Sequence, residues 1–205
     1  RSDSVEQYLM AGELALDGRV RAIKGALSLA LLARDRDYRG VLVPRENAEE
    51  AAVVDGVEVY GIDSLAQAVG FLAGELPLDA AVVDLEALFA RSAKYEVDFS
   101  DVRGQEHVKR AILVAAAGRH NVLMIGPPGT GKTMLAKRLP TILPGLSLQE
   151  ALETTRVYSA SGKLAGSTSL MARRPVRQPH HSISIAALVG GGTIPNAGEV
   201  SLAHH

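Results

Sequence analysis

Residues 121–133 read N-V-L-M-I-G-P-P-G-T-G-K-T, and this stretch decides the fold class. Its first five residues form an apolar run of strand length, followed by a loop rich in Gly and Pro. A helix is predicted to begin near Gly131. Residues 126–133 fit G-x-x-x-x-G-K-[ST], whose required context is a strand before the loop and a helix after it. The sequence therefore predicts an α/β domain with a phosphate-binding loop.

Each residue type in this loop has a distinct role in holding a nucleotide. The glycines let backbone N–H groups turn inward around an anion, and the helix start adds a partial positive charge. Lys132 is expected to reach the β and γ phosphates, and the Thr133 hydroxyl to ligate Mg²⁺, so both are predicted catalytic residues and ATP with Mg²⁺ the cofactors. The predicted binding residues of the loop are Gly126, Pro127, Pro128, Gly129, Thr130, Gly131, Lys132 and Thr133.

A loop of this kind also needs an acidic residue at the end of a later strand to hold Mg²⁺ and orient water. After Lys132 the only acids are Glu150, Glu153 and Glu199, and none of them ends an apolar strand. Asp84 follows an apolar run but precedes the loop, so we interpret that run as a segment leading into a helix. We therefore expect the chain to bind nucleotide without the residues that hydrolyse it.

The chain divides into two parts of opposite charge. Before Tyr95 there are 10 Lys and Arg against 16 Asp and Glu, and from Tyr95 onward 12 against 7. We place a domain boundary near Ala93, which gives domains 1–93 and 94–205. The first part predicts alternating short strands and helices. Those elements are a hairpin over 13–23 turning at Asp17-Gly18, helices over 25–33 and about 47–53, strands over 40–43 and 57–60, and a helix capped by Asp63-Ser64 with Leu65, Ala68, Val69 and Leu72 inward.

Composition excludes several classes of protein. Of the 205 residues 47% are hydrophobic and 22% charged, with a net charge of −1, as in ordinary globular proteins. There is no cysteine, which excludes disulfide frameworks and thiol nucleophiles, and no apolar run long enough for a membrane helix. The chain begins with Arg1 and shows no signal-peptide pattern, so we expect a cytoplasmic piece of a longer protein that makes no membrane contact.

A basic stretch follows the loop domain's first helices. No acidic residue occurs from Thr154 to Gly198, which suits either an anionic partner or an ordinary solvated loop. Tyr158 is the one aromatic residue there, so stacking on bases is not indicated. Adjacent His180 and His181 do not project to one point, which argues against a zinc site. The candidate contacts to DNA or a neighbouring subunit are Arg173, Arg174, Arg177, His180 and His181.

Three motifs together resemble the AAA+ proteins of the magnesium-chelatase-like group, most closely the ComM/YifB family. They are residues 98–105 (DFSDVRGQ), the GPPGTGKT loop, and 177–204, which contains RQPHHSIS, LVGGG and GEVSLAH. The resemblance implies a P-loop AAA+ domain that ends before its second nucleotide motif, with Val102 and Gly104 also contacting the nucleotide. It implies ATP hydrolysis by a hexameric homo-oligomer and work on DNA, as branch migration during natural transformation.

The first part is similar to the C-terminal part of the Lon-protease fold, a ribosomal S5 domain 2-like α/β fold, which family members carry ahead of the motor. This similarity rests on residues 12–20 (GELALDGRV), 41–44 (VLVP) and Asn47. A Lon-type protease needs a lysine in the helix after the hairpin. That position is Leu27 here, so we expect a non-proteolytic domain.

Two other functions stay open at this point. The chain could be a motor subunit of magnesium chelatase, although such subunits generally begin at the AAA+ domain. It could also be a nucleotide-switched interaction module in which ATP binding changes the oligomeric state. A small-molecule kinase shares the loop but lacks the 98–105 and PHH segments, and we rank it last.

Overall fold

The computed structural model describes residues 5–164, 168–192 and 195–205. The sequence predictions that extend over 165–167 and 193–194 therefore lie partly outside the described residues. Within them the chain is mixed α/β with a parallel sheet. Its strands are β1 Tyr8–Met10, β2 Glu13–Leu14, β3 Val20–Arg21, β4 Gly40–Pro44, β5 Glu58–Ile62, β6 Gly190–Gly191 and β7 Asn196–Ala197.

The helices connect and cover these strands. They are α1 Ala26–Asp35, α2 Arg45–Ala51, α3 Leu65–Ala73, α4 Leu85–Ser92, α5 Glu106–Gly118, α6 Lys132–Arg138, α7 Leu148–Ala160, α8 Ile185–Val189 and α9 Glu199–Leu202. Single 3-10 turns occur at Phe99–Asp101 and Leu139–Ile142. In the ranges described, none of these helices is long and apolar enough to cross a membrane.

The first part folds around a three-stranded parallel sheet in the order β1-β4-β5. The central strand β4 is buried along its whole length, as expected of a parallel strand covered on both faces. Helices α1 and α2 pack on it, and Val41, Val43 and Val59 join Leu27 in the largest apolar cluster. The predicted strands and helices of this part are thus confirmed, with α2 beginning two residues earlier than expected.

The predicted hairpin forms between β2 and β3, with Glu13 paired to Arg21 and Leu14 to Val20. Its turn differs from the expected two-residue turn. Ala15 N–H bonds the Arg19 carbonyl at 2.9 Å, so residues 16–18 form a three-residue loop. Only Gly18 of the Asp17-Gly18 pair has a positive φ, at 82°. This is the common arrangement in which one left-handed residue closes a three-residue hairpin loop.

Helix α3 is capped as predicted, because the Ser64 side chain accepts a hydrogen bond from the Gln67 N–H. Its inward face is narrower than predicted. Ala68 is buried and Leu72 packs on the aromatic cluster of Tyr8, Tyr60 and Phe71. Leu65 and Val69, predicted to point inward, are 49% and 58% exposed, because the sheet beside α3 has only three short strands and covers one side of the helix.

The second part packs on the first through α7. Leu146, Ala151 and Leu170 belong to the same apolar cluster as the core of α1 and β4. Ser159 on α7 also donates a hydrogen bond to the Glu50 carboxylate on α2. The boundary near Ala93 stays a prediction, although residues 93–98 carry neither helix nor strand.

The largest departure from the sequence prediction is the apolar run before the phosphate loop. Residues 121–127 carry no strand, and Leu123 and Ile125 are 84% and 87% exposed. A strand needs a hydrogen-bonded neighbour, and among the described residues no strand lies beside this run. Among the described residues, all three strands of the parallel sheet belong to the first part, so these residues do not form the predicted AAA+ sheet.

Candidate nucleotide-binding site

The loop of residues 126–131 connects the exposed apolar run to α6. Gly129 and Gly131 have φ values of 81° and 85°, which side-chain-bearing residues rarely adopt. Gly131 immediately precedes α6, so the first N–H groups of that helix lack acceptors within it. The helix predicted to begin near Gly131 is confirmed, and it begins at Lys132.

Lys132 is bound within its own loop. Its ammonium donates hydrogen bonds of 2.7 Å to the carbonyl oxygens of both Gly126 and Pro127. It also lies 3.3 Å from the Thr130 hydroxyl, which itself donates to the Pro127 carbonyl at 2.9 Å. These bonds draw the two ends of the loop toward the lysine, so the loop is curved around a single positive charge.

A cavity of about 490 Å³ lies beside this loop. Gly126, Pro127, Thr130 and Lys132 form its polar wall. Its other wall is largely apolar and comes from α5, the 121–125 run and α6. The residues lining that wall are Gln105, His107, Val108, Ala111, Ile112, Val122, Leu123, Met124, Ile125 and Leu135. A polar loop facing an apolar wall is the arrangement of small-molecule sites.

The remaining predicted loop residues are accessible. Pro128 and Gly129 are exposed at the loop tip, and Thr133 is exposed on the first turn of α6. Lys132 and Thr133 thus lie together at the start of α6, directly after the loop, as expected.

Val102 and Gly104, expected to contact the nucleotide, do not line the cavity. Val102 is 2% exposed and packs with Phe99, Ile112 and Leu135 in an apolar cluster under the loop. Gly104 is exposed with a φ of 66°. The 102–105 segment nevertheless reaches the loop through a residue the sequence analysis did not single out. Gln105 donates from Nε2 to the Thr130 carbonyl at 3.2 Å, and only its place in the DFSDVRGQ segment could have indicated it.

The acidic residues after the loop are all used elsewhere. Glu150 accepts from the Ser147 N–H in a capping box at the start of α7, and this hydrogen bond lowers the pKa of its carboxyl. Glu153 accepts from His205, which lowers its pKa likewise. Glu199 pairs with Arg177.

Asp84, which precedes the loop, caps α4 by accepting a hydrogen bond from the Ala87 N–H at 2.9 Å. This confirms that the apolar run before Asp84 leads into a helix.

The predicted basic contact residues are partly committed to internal bonds. Arg177 donates two hydrogen bonds, of 2.6 and 2.7 Å, to Glu199, and this raises the pKa of the guanidinium. Arg174 is 16% exposed and donates to the carbonyls of Pro144 and His205. Arg173 is exposed and donates to the Lys94 carbonyl at 3.0 Å.

His180 and His181 are exposed and do not form a metal site in the described structure. Their ring centroids lie 4.1 Å apart, and His180 Nδ1 lies 2.7 Å from the Ser182 hydroxyl. Gly190 and Gly191 form strand β6, which pairs with β7 through Gly190–Ala197 and Gly191–Asn196.

Comparison with known proteins agrees with the motifs. A family model described as "Magnesium chelatase, subunit ChlI" matches residues 98–205, just over half of the chain. A second, "Subunit ChlI of Mg-chelatase", matches residues 1–47. The competence protein ComM of Haemophilus influenzae is 44% identical over 201 residues, 97% of this chain and 39% of the relative. The chain belongs to the magnesium-chelatase-like ComM/YifB family.

Other relatives extend this comparison. The uncharacterized protein YifB of Escherichia coli is 42% identical over 207 residues, all of this chain and 39% of the relative. An archaeal Lon protease of Methanothermobacter thermautotrophicus is 38% identical over 77 residues, 38% of this chain and 12% of that protein. The ComM/YifB chain thus spans about 40% of the length of its curated relatives.

The sequence predicts that Leu27 aligns with the lysine of Lon-type proteases. In the structure Leu27 is fully buried in the main apolar cluster. Its N–H donates to the Glu50 carboxylate at 3.1 Å. In this ComM/YifB chain the position therefore serves packing.

Proposed function

We propose that this chain binds ATP with Mg²⁺ at Gly126–Thr133 as the nucleotide-binding part of an AAA+ motor. The observation that carries the proposal is the loop itself, with two glycines at positive φ and Lys132 at its centre. Membership of the magnesium-chelatase-like family supports a nucleotide with Mg²⁺ in general. The cavity beside the loop offers room for a small ligand.

The residues present fit this group. Phosphate oxygens are stronger acceptors than the carbonyls that Lys132 now contacts, because they carry negative charge that attracts the ammonium directly. The exposed Thr133 hydroxyl stands one residue further on, where it would ligate Mg²⁺. Gln105 holds the Thr130 carbonyl and so fixes the loop against α5. The Mg²⁺ supplies charge neutralisation between the phosphates when it is bound.

We further propose that the chain does not hydrolyse ATP alone. Glu150, Glu153 and Glu199 are each engaged in a helix cap, a histidine contact or an arginine pair. None of the three lines the cavity beside the loop. We expect the acid that would orient the attacking water to come from a part of the protein outside these 205 residues. The complete protein is proposed to work as a hexameric ring of identical subunits.

The nucleotide proposal is tested by titrating the chain with ATP and Mg²⁺ in a calorimeter. We expect Lys132→Ala to weaken binding at least about tenfold, since it removes the one full charge at the phosphates. Lys137→Ala, on the same helix, is the matched control and is expected to bind normally. Thr133→Ala should bind nucleotide but lose the dependence on Mg²⁺. Unchanged affinity in Lys132→Ala, with its circular dichroism intact, contradicts the assignment.

The work performed by the motor is proposed to fall on DNA, as branch migration in natural transformation. The support is the family membership and the name of the Haemophilus relative, a competence protein. Exposed basic side chains from Arg156 to Arg173 provide a surface for phosphates, whereas Arg174 and Arg177 are bound internally.

This DNA proposal predicts a salt-dependent affinity that depends on those exposed charges. Changing Arg156, Lys163 and Arg173 to Gln should lower affinity for a four-way junction and flatten its salt dependence by about 0.9 per lost phosphate contact. Arg21→Gln and Arg36→Gln, exposed in the acidic first part, form the control. If the two sets of variants bind DNA alike, the basic stretch does not contact DNA. The alternative, a chelatase-type motor subunit that acts on protein partners, is then favoured.

A further inference from the structure

A cluster of two imidazoles and a carboxylate lies where α7 meets the segment after α9. His205 Nε2 is 2.9 Å from Glu153 Oε2, and His204 Nε2 is 3.9 Å from the same oxygen. One ligand atom from each of the three side chains falls within 4.8 Å of the other two. The side chains are 43% exposed for Glu153, 42% for His204 and 27% for His205, so solvent reaches them.

Other bonds fix this cluster independently of the three side chains. Gln149 donates to Glu153 Oε1 at 3.1 Å, which orients the carboxylate and leaves Oε2 toward the histidines. The Tyr158 hydroxyl donates to the Leu202 carbonyl at 2.9 Å and ties α9 to α7. Arg174 donates to the backbone carbonyl of His205. The two elements that carry the cluster are therefore held together by groups outside it.

We propose that Glu153, His204 and His205 bind a divalent transition-metal ion such as Zn²⁺. Zinc binds imidazole nitrogen and carboxylate oxygen at about 2.0–2.2 Å, which sets tetrahedral ligand atoms about 3.3 Å apart. The distances from Glu153 Oε2 to the two histidine nitrogens, 2.9 and 3.9 Å, lie on either side of that value, and all three ligand atoms lie within 4.8 Å of one another. Three protein ligands leave the fourth position to water.

The ligand set separates this site from the magnesium proposed at the phosphate loop. Mg²⁺ prefers oxygen ligands and octahedral geometry, whereas two imidazoles favour zinc, nickel or copper. A carboxylate often orients a metal-bound histidine through its second nitrogen. Glu150 Oε1 lies 3.9 Å from His205 Nδ1, in position to approach it when the metal occupies Nε2.

The chain contains its own control for this site. His180 and His181 are also adjacent, exposed and in ring contact. In the part of the chain that the structure describes, no carboxylate or further histidine joins them within ligand reach. If a His-His pair alone captured metal, the two pairs would behave alike, and the carboxylate of Glu153 would make no difference.

The test is calorimetric titration of the 205-residue chain, purified without a polyhistidine tag, with ZnCl₂ in the absence of nucleotide. We expect one Zn²⁺ per chain, and affinity lowered at least about tenfold in both His205→Ala and Glu153→Gln. The double variant His180→Ala/His181→Ala should bind as the unchanged chain does. X-ray absorption at the zinc edge should show imidazole ligands, and the melting temperature should rise with Zn²⁺.

Absence of binding, unchanged affinity in Glu153→Gln, or an equal loss in the His180/His181 variant overturns the proposal. Glu153→Gln retains the size of the side chain on the surface of α7, so it decides the matter should His205→Ala fail to fold. Because the titration contains no ATP, its outcome is independent of the nucleotide proposal.

Discussion

Ser159 on α7 donates a hydrogen bond to the carboxylate of Glu50 on α2, 109 residues earlier in the chain. The same carboxylate accepts from the Leu27 N–H at the start of α1 and from the Asn47 amide. One acidic side chain thus connects α1 and α2 of the first part to α7 of the second. Hydrogen bonds to charged groups contribute about 1.5–3 kcal/mol each when partly buried.

We expect Ser159→Ala to lower the free energy of unfolding by about 2 kcal/mol, because it leaves the Glu50 carboxylate short of one donor. Glu50→Ala should cost more, since Leu27 and Asn47 lose their acceptor together. Urea unfolding of both single variants and of the double variant measures the coupling between them. If the two losses add without any coupling energy, the bond does not join the two parts.

Leu27 supplies the second prediction. It is fully buried in the core of the first part, so Leu27→Ala should lower stability by about 2–5 kcal/mol. Leu27→Lys should destabilise the chain further by burying a charge, and should yield no peptidase activity. The exposed Leu16→Ala is the control, and thermal melting is the measurement. Leu27→Lys with unchanged stability would show that the position is not part of the core.

The third prediction concerns Gly131. Its φ of 85° costs an alanine about 1–2 kcal/mol, and its Cβ would also meet the Met134 methyl at 3.4 Å. Gly131→Ala should therefore weaken ATP binding more than it weakens the fold, because the strain falls on the loop. Gly145→Ala has open space and no positive φ, so it should be neutral in both the ATP titration and the urea melt.

The fourth concerns acid stability. Arg177 holds the pKa of Glu199 below its ordinary value of 4.5, so the carboxyl binds a proton more readily in the unfolded chain than in the folded one. The stabilisation is therefore fully present above about pH 4.5 and is lost as pH falls through the lower folded value. Arg177→Met should be less stable than the unchanged chain near neutral pH. The difference between their free energies of unfolding, measured by urea melts, should shrink as the pH is lowered to about 3. Arg173 is not part of the Arg177–Glu199 pair, so for the control Arg173→Met the difference from the unchanged chain should not change with pH in this way.

Signals confined to a few neighbouring residues predicted structure well. Gly18 and Ser64 act through their own backbone or through a residue three positions away, so the hairpin and the α3 cap could be read directly. The helix leading from Asp84 and the start of α6 were predictable for the same reason. Turn and cap chemistry depends little on the rest of the chain.

Features that depend on distant partners could not be read in this way. The 121–125 run has the composition of a strand, but strand formation requires a neighbouring strand that local sequence does not specify. Helix α7 could not be predicted from hydrophobic periodicity, because its buried face includes the polar residues Thr154 and Thr155. Their hydroxyls donate hydrogen bonds to the carbonyls of Glu150 and Ala151 within the helix. The Ser147-x-x-Glu150 capping box was a readable signal for that helix.

The same distinction between local signals and distant contacts holds for the candidate site. The loop residues and their glycine geometry followed from the motif, because eight contiguous residues carry it. The Gln105 contact and the internal pairing of Arg174 and Arg177 arise from residues 22 to 31 positions apart, where composition alone indicated only a positive surface.

The exposed run of residues 121–125 also governs how the isolated chain will behave at the bench. The apolar side chains of Leu123 and Ile125 are exposed, and in the described structure no strand is paired with the backbone beside them. Such a segment is a ready template for a second molecule to add itself edge to edge, so self-association should rise with protein concentration. A charged gatekeeper at Leu123 would interrupt that stacking and keep purified material monodisperse.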